Sequence, residues 1–352
     1  MKPAKLKQIR NLLWLYFWLL ILEGALRKWL LPGLANPLLL VREPVALLAV
    51  IWAWPLLRKR RWQQWLKPLF IIGPLAFVFA ITVGHGDIFT ALYGMRVIVL
   101  QLPLIFVYAA VFQRDDVIKT AWIMVLLSIP MTLLLVLQSN QSDSHFLNVG
   151  AGGLGSASFT GALGRSRPSG TFSFITGVVS FYSLAASSLF ILLYNVPIRL
   201  MGRIICIVAG IALVVALPVS ISRSLLAGYI MVAVALIAAL TISRTKLLSL
   251  LVGLVALSLA IGLATMIPAF QDTSEAFVAR WDDAGSASGQ DRTEVGDLGV
   301  AAGQIEGRVL PGFIHPFEKL ARTPMLGYGI GMGSNVAAQR LGLRAFALGE
   351  GG

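Results

Sequence analysis

The stretch TAWIMVLLSIPMTLLLVLQ, residues 120–138, contains no charged side chain over its 19 residues. A helix needs about 20 predominantly apolar residues to cross a bilayer, so this stretch predicts a membrane span. Eight further stretches of the chain are also predominantly apolar. The nine predicted spans are 11–27, 38–57, 68–84, 97–112, 120–138, 171–194, 204–219, 224–242 and 247–267. The sequence therefore predicts an all-α, polytopic transmembrane helical bundle.

The composition of the 352-residue chain agrees with a membrane protein, since 57% of its residues are hydrophobic and only 13% are charged. Soluble domains carry about 25% charged residues. In a soluble chain a net charge of +13 would suggest a nucleic-acid partner. Here the basic residues lie between the apolar spans, where they set membrane topology. We therefore expect no nucleic-acid partner and a multi-pass protein.

The distribution of basic residues predicts a cytoplasmic N-terminus. In that orientation the segments on the inner side contain 15 lysines and arginines, whereas the outer side before residue 268 contains seven. This asymmetry follows the positive-inside rule. The seven outer residues are Arg27, Lys28, Arg42, Arg96, Arg165, Arg167 and Arg223.

Six of the seven outer basic residues are arginines, and this bias predicts an anionic ligand. The planar guanidinium binds phosphate oxygens through two parallel hydrogen bonds. The alternatives are that these arginines snorkel at span ends or pair with carboxylates. Glu23 precedes Arg27 by one helical turn, which predicts an ion pair. Arg42 and Glu43 are predicted to join them in a cluster that ties spans one and two together.

Two of the arginines have no carboxylate close by in the sequence. Arg167 and Arg223 each precede an apolar stretch, so both are predicted to begin a helix at the outer membrane edge. The free backbone N–H groups of a helix N-terminus favour anions. These two residues are therefore the sharpest candidates for an anion clamp.

The region after the ninth span changes character, because residues 272–297 contain seven acidic residues against two basic ones. The chain is predicted to form a transmembrane domain over 1–267 and an external loop region over 268–352. The odd number of spans and the Gly-Glu-Gly-Gly end predict a fragment truncated before further spans.

Histidines and glycines supply the remaining candidates on the outer face. His85, His145 and His315 lack metal-ligand spacing, so no metal site is predicted. His315 is a candidate acid or base because imidazole titrates near neutral pH. The run GYGIGMGSN, residues 327–335, lacks the lysine and hydroxyl residue of a nucleotide-binding P-loop. It instead predicts a turn whose glycines let the backbone approach another segment.

Several polar stretches resemble the O-antigen ligase and O-antigen/exopolysaccharide polymerase family. Three of them are RPSGTF at 167–172, SISRS at 220–224 and RTPMLGYGIG at 322–331. Three others are similar to a polymerase-like branch of the family. These are EGALRKW at 23–29, LYGMRV at 92–97 and LGRSRPSGTFSF at 163–174.

The resemblance implies a bacterial inner-membrane glycosyltransferase whose active site faces the periplasm. Such enzymes join oligosaccharide units carried on polyprenyl diphosphate and need no metal and no nucleotide cofactor. The implied partners are the lipid-linked oligosaccharide, membrane lipid and other polysaccharide-assembly proteins. By motif position the resemblance implies diphosphate binding by Arg167, Arg223, Arg96 and Arg280. It implies His315 or Glu350 as the catalytic group of the external loop.

Three alternatives to a polymerase stay open at this point. A ligase would use the same donor but transfer the glycan to a lipid acceptor. A polysaccharide transporter would predict polar residues near mid-span and a topology repeated in two halves. The middle of each predicted span is instead overwhelmingly apolar. The third alternative is a non-enzymatic scaffold.

Overall fold

The structure is a computed structural model, and it describes residues 2–142, 144–151, 167–243, 275, 328–332, 334, 337 and 340–341. Within these residues every regular element is a helix. The α-helices are α1 (Pro3–Ala25), α2 (Ala35–Leu38), α3 (Arg42–Leu57), α4 (Arg60–Thr82), α5 (Ile88–Arg96), α6 (Leu102–Val111), α7 (Arg114–Ser139), α8 (Ile175–Asn195), α9 (Leu200–Val219) and α10 (Arg223–Ser243). The all-α prediction is confirmed for this part of the chain.

Seven helical stretches of the described residues are long and apolar enough to cross a membrane. They are Pro3–Leu30, Pro32–Leu57, Arg61–Thr82, Ile88–Val111, Arg114–Ser139, Ile175–Tyr194 and Leu200–Val219. Each overlaps one of the first seven predicted spans, although the fourth stretch begins at Ile88 and not at residue 97. The eighth predicted span coincides with α10, whose described apolar part, Arg223–Ala239, is shorter. The ninth span, 247–267, lies outside the described residues, as does most of the external loop region.

Two of the long stretches contain a π-helical turn beside a basic residue. One such turn, Leu26–Leu30, extends α1 and contains Arg27 and Lys28. The other, Val97–Gln101, joins α5 to α6 directly after Arg96. A π-helical turn inside an α-helix is often found at a functional site.

The chain divides into two compact units, of which the first comprises Met1–Phe17, Val41–Phe112 and Gly285–Gly352. In this first unit α3 packs against α6. Ala46, Ala49 and Ala53 of α3 are fully buried, and such small residues let membrane helices approach closely. The Tyr108 hydroxyl donates a 2.8 Å hydrogen bond to the Leu13 carbonyl, which ties α6 to α1.

The second unit comprises Trp18–Leu40 and Gln113–Ala284. Here α7 packs against α8 and α9, and α10 packs against α8. Thr132 of α7 lies 2.7 Å from the Tyr182 hydroxyl of α8 and donates a 3.1 Å hydrogen bond to the Ala212 carbonyl of α9. These polar contacts join three helices in the interior of the second unit.

Candidate functional site

The segment 167–174 of the second unit is not helical. The sequence predicted a span from residue 171 with Arg167 at the start of a helix, but α8 begins only at Ile175. This prediction is wrong because Gly170 has φ +57° in a turn, a conformation that interrupts a helix. Arg167 therefore lies on an irregular segment and is partly buried.

Gln138, fully buried at the end of α7, forms hydrogen bonds with this segment from one side. Its Oε1 accepts the Gly170 N–H at 2.8 Å, and its Nε2 donates to the Leu147 carbonyl at 2.8 Å. Asn148 Nδ2 in turn donates to the Gln138 carbonyl at 2.9 Å. The end of α7 thus holds the segment around Gly170 and the turn around Asn148 together.

Lys28, in the first span, also forms hydrogen bonds with this segment. Its side chain is buried, and its Nζ donates to Ser169 Oγ at 2.5 Å and to the Gly170 carbonyl at 3.1 Å. Both acceptors are neutral oxygens. Among the residues that the structure describes, no carboxylate lies within 4.0 Å of the Lys28 amine.

Arg27 contacts the segment beside Lys28. Its Nη1 donates to Ser173 Oγ at 3.0 Å, and its Nε donates to the Ala35 carbonyl at 2.8 Å. The same Nη1 lies 3.5 Å from Glu23 Oε1, which confirms the predicted i,i+4 ion pair. Glu23 is 5% and Arg27 is 7% exposed, so this pair is buried.

The backbones of the EGALRKW and RPSGTF stretches are in close contact. A Cβ atom on Gly24 would overlap the carbonyl oxygen of Thr171, so α1 needs a glycine here. The Thr171 hydroxyl donates to the Ile21 carbonyl at 2.9 Å. The EGALRKW and RPSGTF stretches, far apart in sequence, therefore form one polar cluster, the 23–28/167–173 cluster.

The turn before α10 forms a second candidate site in the same unit. Arg223 begins α10, as predicted. Ile221, fully buried and β-branched, has φ +47°, which is a strained conformation for such a residue. Ser222 stands at the N-cap, because its carbonyl accepts from the Leu225 N–H at 3.1 Å. Its hydroxyl is buried and has no hydrogen-bond partner in the part of the chain that the structure describes.

Arg96 lies in the first unit and is paired. Its Nη1 lies 2.5 Å from Glu43 Oε1, and its guanidinium lies 3.6 Å from the centre of the Tyr93 ring. Gln101 Nε2 also donates to Glu43 Oε1, at 3.4 Å. The sequence predicted Glu43 in an ion-pair cluster between spans one and two. The structure pairs the Glu43 carboxylate with Arg96 at the end of α5.

The glycine-rich segment packs on the turn between α4 and α5, also in the first unit. The His85 N–H donates to the Tyr328 carbonyl at 3.0 Å, and His85 Nε2 lies 3.1 Å from the Ile330 carbonyl. Gly329 and Gly331 have φ of +96° and +95°. A Cβ atom on Gly331 would overlap the Thr90 carbonyl oxygen. The prediction of a glycine turn that allows close backbone approach is confirmed.

Arg340 binds Asp87 next to this segment. Arg340 Nε and Nη2 each lie 3.0 Å from Asp87 Oδ2, while Asp87 Oδ1 accepts the Thr90 N–H at 2.7 Å and caps α5. The hydrogen bonds from Arg340 and Thr90 hold the pKa of Asp87 well below its usual range. The sequence analysis did not identify this pair. Asp87 carried a signal, since an aspartate directly before a helical stretch is a preferred N-cap residue.

The structure describes four of the predicted features, which are Arg96, Arg167, Arg223 and the glycine-rich segment. Three other candidate residues are not described. Arg167 and Arg223 belong to the second unit and Arg96 to the first. The candidates Arg280, His315 and Glu350 lie outside the described residues. Sequence analysis gave Lys28 no role of its own, since its partners are neutral oxygens that no charge pattern reveals.

The chain matches no family model, and comparisons with curated proteins and with solved structures found no similar protein.

Proposed function

We propose that this protein is a membrane glycosyltransferase. It polymerises polyprenyl-diphosphate-linked oligosaccharide units into O-antigen or exopolysaccharide at the periplasmic face of the bacterial inner membrane. The observation that carries the proposal is the start of α10. A strained Ile221, the buried hydroxyl of Ser222 and Arg223 follow one another at a helix N-terminus. Strain of this kind clusters at ligand sites, and a helix N-terminus favours an anion.

The 23–28/167–173 cluster supplies further positive charge in the same unit. In the 23–28 part of the cluster, Arg27 and Lys28 outnumber Glu23. A charge at the edge of a membrane is costly unless an opposite charge compensates it. An anionic ligand would compensate the excess, and the diphosphate of a lipid carrier would reach it from within the bilayer.

The seven apolar helices support a membrane location. The excess of basic residues on the predicted inner segments favours a cytoplasmic N-terminus. Because successive spans alternate in direction, the ends carrying Lys28, Arg167 and Arg223 would then all lie at the periplasmic side.

The reaction follows from the chemistry of the donor. An acceptor hydroxyl attacks the anomeric carbon, the new glycosidic C–O bond forms, and the bond from that carbon to the diphosphate oxygen breaks. Arginine side chains stabilise the charge on the departing diphosphate. The hydroxyl proton passes to a base of the external region, for which His315 and Glu350 are the candidates. The step requires neither a nucleotide nor a metal.

The test is a transfer assay with purified protein in liposomes. One reaction contains the lipid-linked repeat unit alone, and a second also contains a lipid A-type acceptor. Polymer ladders in the first reaction support a polymerase, whereas a product that appears only in the second reaction identifies a ligase. Movement of the donor across the bilayer without a new glycosidic bond would indicate a transporter. A protein that does none of these contradicts the proposal and leaves the scaffold alternative.

A further inference from the structure

Lys28 is buried, whereas the other lysines among the described residues are exposed. Its side chain is 2% exposed. The exposed lysines are Lys2, Lys5, Lys7, Lys59, Lys67 and Lys119. Burial of an ammonium ion is unfavourable unless its environment compensates the charge. The two hydrogen bonds that Lys28 donates reach neutral oxygens, and its Nζ also lies 5.6 Å from the centre of the Trp29 ring.

A second side chain binds the same turn from the opposite side. Gln138 Oε1 accepts the Gly170 N–H at 2.8 Å, and Gln138 Nε2 donates to the Gly170 carbonyl at 3.4 Å. Lys28 supplies the bonds that hold this turn from the first span. Ser169, which Lys28 binds, is separated from Arg167 only by Pro168, whose ring fixes φ. A displacement of Ser169 is therefore transmitted to Arg167.

The backbone of the first span is adapted to this contact. In a regular α-helix adjacent side chains diverge by about 100°. Arg27 and Lys28 are adjacent, yet both reach the same segment, at Ser173 and at Ser169. They lie in the π-helical turn that closes with the 2.7 Å bond from the Leu31 N–H to the Leu26 carbonyl. In this wider turn the side chains of Arg27 and Lys28 lie side by side.

We propose that Lys28 is a positioning residue of the glycosyl transfer. Its ammonium group fixes the Ser169–Gly170 turn and thereby holds Arg167 in the orientation that binds the diphosphate. The inference rests on the proposed function, and it assigns Lys28 no direct contact with substrate.

The kinetic test compares Lys28→Met, Lys28→Gln and Ser169→Ala with the wild-type protein. Lys28→Met should lower kcat/KM for the lipid-linked donor by about 10²-fold, the typical effect of a misplaced catalytic group. Lys28→Gln keeps a hydrogen-bond donor group but loses the charge, and it should recover part of that loss. Ser169→Ala removes the closest acceptor and should lower kcat/KM in the same direction. Lys67→Met, at an exposed lysine in the predicted inner segment, is the control and should behave as wild type.

A double-mutant cycle separates positioning from a general loss of structure. If Lys28 acts through Arg167, then Lys28→Met should cost much less in an Arg167→Lys background than in the wild type. Fully additive effects would overturn the proposal. Thermal unfolding in detergent identifies any variant that fails to fold, and for such a variant Ser169→Ala replaces Lys28→Met in the cycle.

A structural measurement distinguishes failure of this inference from failure of the proposed function. The only cysteine, Cys206, is replaced by serine, and a nitroxide label is attached at Arg167→Cys. Lys28→Met should increase the mobility of the label, and Lys67→Met should not. Unchanged mobility would overturn the positioning role. Increased mobility in a protein without transferase activity would instead refute the proposed function and leave the positioning of residue 167 intact.

Discussion

Asp87 and Arg340 are 253 residues apart in the chain and form a two-pronged ion pair at the N-terminus of α5. Arg340 also lies over the ring of Phe89, 4.5 Å from its centre. Together with the hydrogen bonds of His85 to Tyr328 and Ile330, this pair anchors the glycine-rich segment on the turn between α4 and α5. The last described part of the chain is therefore joined to the start of α5.

Replacement of Asp87 by asparagine should weaken this anchor. Asparagine retains an oxygen that caps α5 but loses the charge that Arg340 binds. We expect the melting temperature to fall by about 1–3 °C at neutral pH, because an exposed ion pair contributes little. Asp115→Asn in the first turn of α7 is the control, since that exposed aspartate makes no ion pair with the described residues. Equal melting temperatures for the wild type and Asp87→Asn would contradict the prediction.

The same pair predicts how stability depends on pH. The folded-state pKa of Asp87 is depressed, so its contribution is complete above the unfolded-state pKa of about 4 and is lost as the pH falls through the folded-state value. The difference in melting temperature between the wild type and Asp87→Asn should therefore be constant from about pH 7 to pH 5 and shrink below about pH 4. A difference that grows on acidification would reverse the sign and refute this account.

Replacement of Gly24 by alanine should separate the two halves of the 23–28/167–173 cluster. The new Cβ atom would overlap backbone atoms of Thr171 and Phe172, which cannot move aside as a flexible side chain can. We expect a destabilisation of about 1–3 kcal/mol, the usual cost of overpacking. Gly210→Ala is the matched control in α9, where the nearest atom would lie at an ordinary 3.8 Å. That variant should be neutral or slightly more stable, since alanine favours helix over glycine.

Replacement of Arg167 or Arg223 by lysine should abolish most activity without affecting membrane insertion. Lysine keeps the positive charge but loses the two-pronged geometry that suits a diphosphate. We expect a loss of about 10²–10³-fold in polymer formation by purified protein. Arg203→Lys, at an exposed arginine near the opposite end of α9, should retain wild-type activity. Wild-type polymerisation by both test variants would mean that these arginines snorkel and do not recognise diphosphate.

Cysteine labelling tests the predicted orientation. In a Cys206→Ser background, cysteine at the exposed Ser144 should react with an impermeant thiol reagent in intact spheroplasts. Cysteine at the exposed Lys59 should react only after the membrane is disrupted. The reverse pattern would place the arginine-rich ends in the cytoplasm and exclude a periplasmic site.

The features that sequence analysis predicted correctly depend on short-range patterns. The first seven spans follow from local apolar length, and the Glu23–Arg27 pair follows from helical spacing. The start of α10 at Arg223 follows from the switch to an apolar run. Glycines that allow close approach could be predicted for the same reason, since the conformational freedom of Gly329 and Gly331 is local.

The features that it missed depend on residues far apart in the chain. Glu43 meets Arg96 across 53 residues, and Lys28 meets Ser169 across 141 residues. The start of α8 was predicted too early, because Gln138 fixes Gly170 in a turn. The apolar run that follows Gly170 gives no sign of this turn. A sequence pattern offers no means of matching a buried lysine to the neutral oxygen that it contacts.

The π-helical turn at Leu26–Leu30 makes the first span sensitive to the number of its residues as well as to their identity. Deletion of a single residue there would let the turn relax to an ordinary α-helix and swing the side chains that follow by about 100°. Arg27 and Lys28 could then no longer face Ser173 and Ser169 together. A one-residue deletion in this turn should therefore be more damaging than a conservative substitution at either cation, and homologous chains that keep the contact should also keep the length of this turn.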